Sequence, residues 1–278
     1  MKSNMGKSLT GFGRKYTQLI SAVLYNCHLT GFFTGRIYKG ATKGICVPGL
    51  NCYSCPGALF ACPLGSLQGA LAQSVFRLPL YMLGTLLLFG LLFGRMICGF
   101  LCPFGFLQEL LFCLPVKKIK KSRITRAFSY LKYGILILFV IVIPVVTLTP
   151  GFCKFICPAG TLEAGLPLVL ADDAIREQIG WLFSWKVYVL VLCILLCAAC
   201  YRAFCRFLCP LGAIYSFFGP AAFFGICVDK EKCTGCNACI RVCKMDTKAI
   251  ADHECIHCGE CKSICPEGAI RYRHFKAE

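Results

Sequence analysis

Twenty-four of the 278 residues are cysteine, and their spacing says what they can do. The densest group reads Cys233-x2-Cys236-x2-Cys239-x3-Cys243, then Cys255-x2-Cys258-x2-Cys261-x3-Cys265-Pro266. Steps of two residues wrap three thiolates around three corners of one cube, and in such a doubled run the fourth cysteine ligates the other cluster. The spacing predicts one [4Fe–4S] cluster on Cys233, Cys236, Cys239 and Cys265 and a second on Cys255, Cys258, Cys261 and Cys243. Zinc also uses Cys-x2-Cys, but usually as two separated pairs. Lys244 stands where a proline often follows the fourth cysteine; the ligands are unaffected.

A second pattern recurs four times as Cys-Pro-x-Gly-x-Leu/Ile: Cys62-Pro-Leu-Gly-Ser-Leu, Cys102-Pro-Phe-Gly-Phe-Leu, Cys157-Pro-Ala-Gly-Thr-Leu and Cys209-Pro-Leu-Gly-Ala-Ile. Three copies carry another cysteine four residues earlier, Cys98, Cys153 and Cys205, whereas the first has Ala58 there and offers Cys52 and Cys55 instead. Cysteines four apart share one face of a helical turn, so two such pairs supply the four thiolates of a cubane. The proline is expected to end the turn, and the glycine to let backbone approach a ligand. Four copies of one hexapeptide argue against small packing residues at helix ends.

The elements that must carry these motifs are oily. Hydrophobic residues make up 57% and charged residues 15%, against roughly 25% charged in soluble domains, and mean hydropathy is +0.68. A bilayer crossing needs about 20 apolar residues. Four stretches approach that: Tyr16–Phe33, Leu78–Gly94, Tyr133–Thr149 and Val187–Tyr201. Past Gly225 the chain turns polar and cysteine-dense.

Orientation follows the bias of Lys and Arg toward the cytoplasmic side. With the N-terminus inside, the inner segments (Lys2, Lys7, Arg14, Lys15, Arg95, the run Lys117–Lys132, Arg202 and Arg206) hold 14 basic residues against one acid, Glu109. The outer segments hold seven, among them Arg77 and Lys186, against the four acids Glu163, Asp172, Asp173 and Glu177. Both termini are therefore expected in the cytoplasm, and the basic stretch Met1–Tyr16, which lacks a clear cleavage site, reads as a retained tail. The net charge of +17 does not indicate nucleic acid, because residues 225–278 hold nine basic and eight acidic residues.

Topology sorts the motifs. Cys98, Cys102, Cys205 and Cys209 fall at the inner face and are expected to hold one cluster. At the outer face Cys46, Cys52, Cys55, Cys62, Cys153 and Cys157 compete. Cys62, with Cys52 or Cys55, would join Cys153 and Cys157 in an outer cluster, and a disulfide is the alternative, since that face tolerates one. The chain thus reads as a duplicated unit, span, outer cysteines, span, inner cysteines, related by a pseudo-twofold axis along the membrane normal. Cys193, Cys197 and Cys200, with Cys27, Cys113 and Cys227, are expected to be packing residues.

Certain absences narrow the chemistry. Of the four histidines, His28, His253, His257 and His274, only His28 lies in a predicted span, so no haem is expected. The span interiors carry no Asp, Glu, Lys or Arg, the groups that mark ion relays. No nucleotide-binding glycine motif stands in a strand–helix context.

Residues 233–266 resemble the eight-iron ferredoxins, which implies a fold of short hairpins and two small helices there. The Cys98/Cys102-Pro and Cys205/Cys209-Pro pairs, four spans and the C-terminal double run together resemble the membrane 4Fe–4S-binding group that includes NapH-type quinol dehydrogenase subunits and the NosR membrane domain. The expected fold is a membrane all-α domain, residues 1–224, of four transmembrane helices in two helix-pair repeats (16–115 and 131–224), plus a small α+β ferredoxin-like domain, 225–278, on the cytoplasmic side. The expected function is electron transfer across the plasma membrane, as an electron-transfer subunit rather than a stand-alone enzyme. A cytoplasmic ferredoxin or flavoprotein would be the donor and an extracytoplasmic redox protein the acceptor. Exchange with quinone is one alternative and a redox-sensing or metalloenzyme-maturation role another. A hydrocarbon core about 30 Å thick is too wide for one fast hop. The wire therefore requires clusters inside the bilayer, shortened spans or a partner's cofactor.

Overall fold

The computed structural model describes residues 3–73, 79–119 and 121–273; Lys2, Arg77, Leu78, Lys120 and His274, named above, lie outside the described residues. The fold is mostly helical with one small sheet. A helix over Ser3–Tyr25 covers the start of the first predicted span and stops before Asn26. A short helix, Thr30–Thr34, follows the break, where His28 Nδ1 pairs with the Pro56 carbonyl. The second predicted span becomes Leu80–Phe93, only 14 residues. Among the described residues, two helices are long and apolar enough to cross a membrane, Arg123–Thr147 and Trp181–Ala199. They expose large apolar side chains, Ile137, Leu138, Ile141 and Val145 on one and Tyr188, Val191, Leu192 and Leu195 on the other, as a lipid surround permits.

Local sequence sets the boundaries. Ser122 and Thr125 form a capping box at the start of Arg123–Thr147, satisfying two otherwise orphan donors. Inside that helix, Leu136–Val142 widens to π geometry just before Pro144. Thr161–Gly165 does the same just before Pro167. A mid-helix proline removes one N–H from the ladder, and a π turn is one way to accommodate the loss.

The main core gathers Leu50, Cys98, Cys102, Phe104, Phe152, Phe204 and Tyr215, together with Met245 and Ile256 from the C-terminal region. In that region Gly225–Val228 pairs antiparallel with Ile270–Arg273, Gly225 opposite Arg273, closing both cysteine runs between two strands. Ion pairs clamp it to the helices: Arg95 Nη1 lies 2.5 Å from Glu254, Lys132 meets the same carboxylate, and Asp246 takes Arg126 at 3.0 Å and Arg206 at 3.4 Å. Arg14, Arg95, Lys132, Arg202 and Arg206 are all buried. With Arg126, six of the basic residues read as a topology signal therefore also pair with acids.

Candidate metal centres

Each Cys-Pro copy builds the same corner. The earlier cysteine sits in a short helix: Cys98 in Met96–Phe100, Cys153 in Gly151–Phe155 and Cys205 in Ala203–Phe207. The second cysteine is extended and caps the next helix, Cys62, Cys102, Cys157 and Cys209 each followed by proline at the first helical position. The proline thus starts a helix rather than ending a turn, because its missing N–H has no partner to lose there. The extended cysteine follows from the bias of a pre-proline residue away from helix. In two copies the motif glycine donates its N–H to the capping thiol, Gly160 to Cys157 and Gly212 to Cys209, each at 3.4 Å. A Cβ on Gly105 would lie 2.8 Å from the Cys98 carbonyl oxygen, so that copy needs a residue without a side chain.

These corners face one another in pairs. Cys98, Cys102, Cys205 and Cys209 line one cavity with Leu50, Phe104 and Phe204. Cys52, Cys62, Cys153 and Cys157 line another, of about 590 Å³. Around Gly160, a Cβ would sit 3.7 Å from the Cys52 sulfur and 3.8 Å from that of Cys157. Cys55 is buried outside this lining, facing the N–H groups of Gly57 and Ala58. Cys46 is also outside it, with its sulfur 3.2 Å from Met82 Sδ and 3.6 Å from Ser66 Oγ.

In the C-terminal region Cys233, Cys236, Cys239 and Cys265 line a cavity of about 210 Å³. Cys243, Cys255, Cys258 and Cys261 line a fourth. Among the described residues, no three His, Cys, Asp or Glu side chains converge as ligands of a single ion would; two sets of thiols surround open spaces, while the inner and second C-terminal sets close on about 10 and 20 Å³. None of the four linings contains histidine, and an all-cysteine donor set is the one a [4Fe–4S] cluster takes. Burial, and then neighbouring thiols, push Cys102 up to about 12. Burial and the nearby Glu163 do the same for Cys52. Such thiols become thiolates when a cationic centre holds them. In the outer cavity the side chain of Asn51 is fully buried with neither its oxygen nor its nitrogen paired, an orphan that a polar group in that space would satisfy.

The four cavities stand in series. Ile250 lines both C-terminal ones. Ile256 lines the second of these, and its carbonyl oxygen would lie 2.5 Å from a Cβ on Gly99, the neighbour of Cys98. Leu50 lines both the inner and the outer cavity. Phe204 bridges the same step, its ring 5.0 Å from Phe104 and 6.5 Å from Phe152 between centroids. The loop before Cys52 reaches deep inside: a Cβ on Gly49 would be 3.2 Å from the Cys102 Cα, and Tyr215 donates its hydroxyl to the Pro48 carbonyl at 2.9 Å.

Several residues here were invisible to motif reading. Gln68 and Gln108, six residues after Cys62 and Cys102, touch the Cys153 and Cys205 sulfurs at 3.2 and 3.0 Å. Their counterparts are Glu163, which accepts the Cys52 N–H at 2.8 Å, and Tyr215. Lengthening the hexapeptide by one residue would have found all four. Glu109 sits between Arg14, Arg202 and Tyr201. Of the remaining cysteines, Cys193, Cys197 and Cys200 are buried in the core, whereas Cys27 and Cys113 are exposed rather than packed.

Two families described as 4Fe-4S binding domain match the chain, one over residues 75–122, 133–166 and 181–225, the other over 250–271. An uncharacterized protein of Methanocaldococcus jannaschii is 32% identical over 192 residues, 66% of this chain and 65% of the relative. A second from the same organism is 30% identical over 220 residues, 75% of this chain and 82% of the relative. Ferredoxin-type protein NapH of Haemophilus influenzae is 26% identical over 200 residues, 67% of this chain and 64% of NapH. The chain thus spans slightly less than two thirds of the first and third of these. No solved structure matches it.

Proposed function

Since the chain belongs to the family of 4Fe–4S-binding ferredoxin-type proteins, we propose that it passes electrons across a membrane, from a cytoplasmic reductant toward an extracytoplasmic acceptor, through four [4Fe–4S] clusters. The two 4Fe-4S binding domain matches and a relative named as ferredoxin-type support an iron–sulfur electron-transfer role. The observation that carries the transmembrane reading is the series of four cysteine quartets with shared walls, above all Leu50 between the inner and outer cavities. A shared wall supports a short step between the inner and outer quartets in place of a hop across a full hydrocarbon core.

In this reading residues 225–278 are a ferredoxin-like domain on the cytoplasmic side, and residues 1–224 cross the plasma membrane four times as two repeats. Cys233, Cys236, Cys239 and Cys265 take the entry cluster, and Cys243, Cys255, Cys258 and Cys261 the next. Cys98, Cys102, Cys205 and Cys209 take the inner one, and Cys52, Cys62, Cys153 and Cys157 the outer one. When bound, such clusters supply one-electron carriers. The protein's own residues fix their order and spacing. Arg95 and Lys132 clamp Glu254, next to Cys255, against the inner quartet. Ile256 meets Gly99, while Leu50, Phe152 and Phe204 keep the last step dry and packed. A cytoplasmic ferredoxin or flavoprotein fits the donor role, and a redox protein outside the membrane the acceptor role.

The test uses the full-length protein in sealed vesicles, with dithionite outside and ferricyanide trapped inside. Trapped ferricyanide should be reduced faster than in protein-free vesicles, and a Cys98→Ala/Cys205→Ala variant should lose that gain. Equal rates with and without the protein, or an unimpaired variant, would reject the reading.

A further inference from the structure

Two glutamines each donate to a carbonyl four residues back and to a facing cysteine sulfur at the two proposed membrane quartets. Both are fully buried. Gln68 Nε2 donates to the Leu64 carbonyl four residues back, at 3.3 Å, and to the Cys153 sulfur at 3.2 Å. Its Oε1 accepts the N–H groups of Phe152 and Cys153, at 2.9 and 3.4 Å. Gln108 Nε2 donates to the Phe104 carbonyl four residues back, at 3.2 Å, and to the Cys205 sulfur at 3.0 Å. Its Oε1 accepts the Cys205 N–H at 3.2 Å and the Cys197 thiol at 3.6 Å.

These partners fix the orientation of each amide. Backbone N–H groups can only donate, so the oxygen must face them, and a carbonyl can only accept, so the NH2 must face it. The remaining amide hydrogen of each glutamine then points at a cysteine sulfur, with no freedom to flip. A thiolate ligand is an acceptor there, and a hydrogen bond to a charged group is among the stronger kinds. Hydrogen bonds to cluster sulfurs and their shielding from solvent are the levers that set an iron–sulfur potential. A donor facing the thiolate stabilises the more negative, reduced state and so raises the potential.

We infer that Gln68 and Gln108 are positioning residues that raise the reduction potentials of the outer and inner centres, each through one N–H to one ligand sulfur, on Cys153 and Cys205. The inference rests on the cluster assignment proposed above.

The measurement is an EPR-monitored redox titration, with iron content, of the anaerobically purified wild type, of Gln68→Leu and Gln108→Leu, and of Gln68→Glu and Gln108→Glu. The Glu variants keep the oxygen that holds the backbone N–H groups but replace the donor. Each Gln68 variant should lower the midpoint potential of one centre, each Gln108 variant that of a different one, with the other three signals unmoved and iron retained. Four unmoved potentials would overturn the inference. So would loss of about four irons from both variants of one glutamine, which would leave only a structural role. A wild type lacking the two membrane signals would instead reject the cluster assignment itself.

Discussion

Gly99 and Ile256 are one point where the C-terminal region meets the helical region: a Cβ on Gly99 would lie 2.5 Å from the Ile256 carbonyl oxygen. A backbone oxygen cannot swing aside, so Gly99→Ala forces the two segments apart between Cys98 and Cys255. Overpacking of this kind costs about 1–3 kcal/mol, and the lengthened gap slows transfer between the two quartets. Thermal unfolding in detergent should show the destabilisation. Stopped-flow reduction by dithionite should show slower filling of the membrane centres, with iron content at the wild-type level.

Glu109 is the single acid between two buried guanidiniums. Its oxygens take Arg14 at 2.5 and 2.8 Å, Arg202 at 2.6 and 2.9 Å and the Tyr201 hydroxyl at 2.7 Å. Arg202 also donates to the Cys98 carbonyl, so the network holds the inner quartet's backbone. Glu109→Gln leaves two buried cations without a counter-charge, a loss of about 3–5 kcal/mol. It should appear as a lowered unfolding temperature. Lys15, exposed on the same N-terminal helix, provides the control: Lys15→Gln should change little.

The same site predicts a pH response. Burial alone would raise the Glu109 pKa, but Arg202 and Arg14 outweigh it and hold the carboxyl down to about 2, against an ordinary 4.5. A carboxylate depressed on folding contributes stability that is complete above the unfolded value and is lost as pH falls through the folded one. The difference in unfolding temperature between wild type and Glu109→Gln should therefore be constant above about pH 4.5 and shrink as pH falls toward 2. A difference that persisted unchanged at pH 2 would place the stabilisation elsewhere.

Spacing made the cysteine groups legible because short cysteine runs are local: three ligands two residues apart share a cluster with little help from the rest of the fold. The inner pairs were readable for the same reason, once a repeat placed Cys98/Cys102 and Cys205/Cys209 alike. What the sequence hid depended on long-range packing. Nothing local says that Gly49 and Leu50 dive to Cys102, since that path is held by Tyr215 from far along the chain. Arg95 and Arg202 look like loop charges until Glu254 and Glu109 are seen beside them. Four spans were expected, yet among the described residues Arg123–Thr147 and Trp181–Ala199 alone are both long and apolar enough; Leu80–Phe93 gives way at Gly94, whose φ of 50° ends the helix. Gln68 and Gln108 were missed because glutamine in a helix is ordinary until its partner is a buried sulfur.

The choice between Cys52 and Cys55 is the sharpest question left open by spacing, and Cys52, which lines the cavity, is the proposed ligand. Glu163 holds the Cys52 backbone from the facing motif, whereas Cys55 lies outside the cavity lining. With four-iron clusters at all four quartets, anaerobically purified wild type should hold about 16 irons with matching acid-labile sulfide. Cys52→Ala should hold about 12, as should the double variant Cys153→Ser/Cys157→Ser. Cys55→Ala and Cys46→Ala should keep the wild-type count. If Cys55→Ala lost four irons and Cys52→Ala none, the loop would have to rotate to bring the other thiol inward. If every variant and the wild type held about 12, the outer thiols would carry no cluster. Their chemistry would then be that of a dithiol at the end of a three-cluster chain.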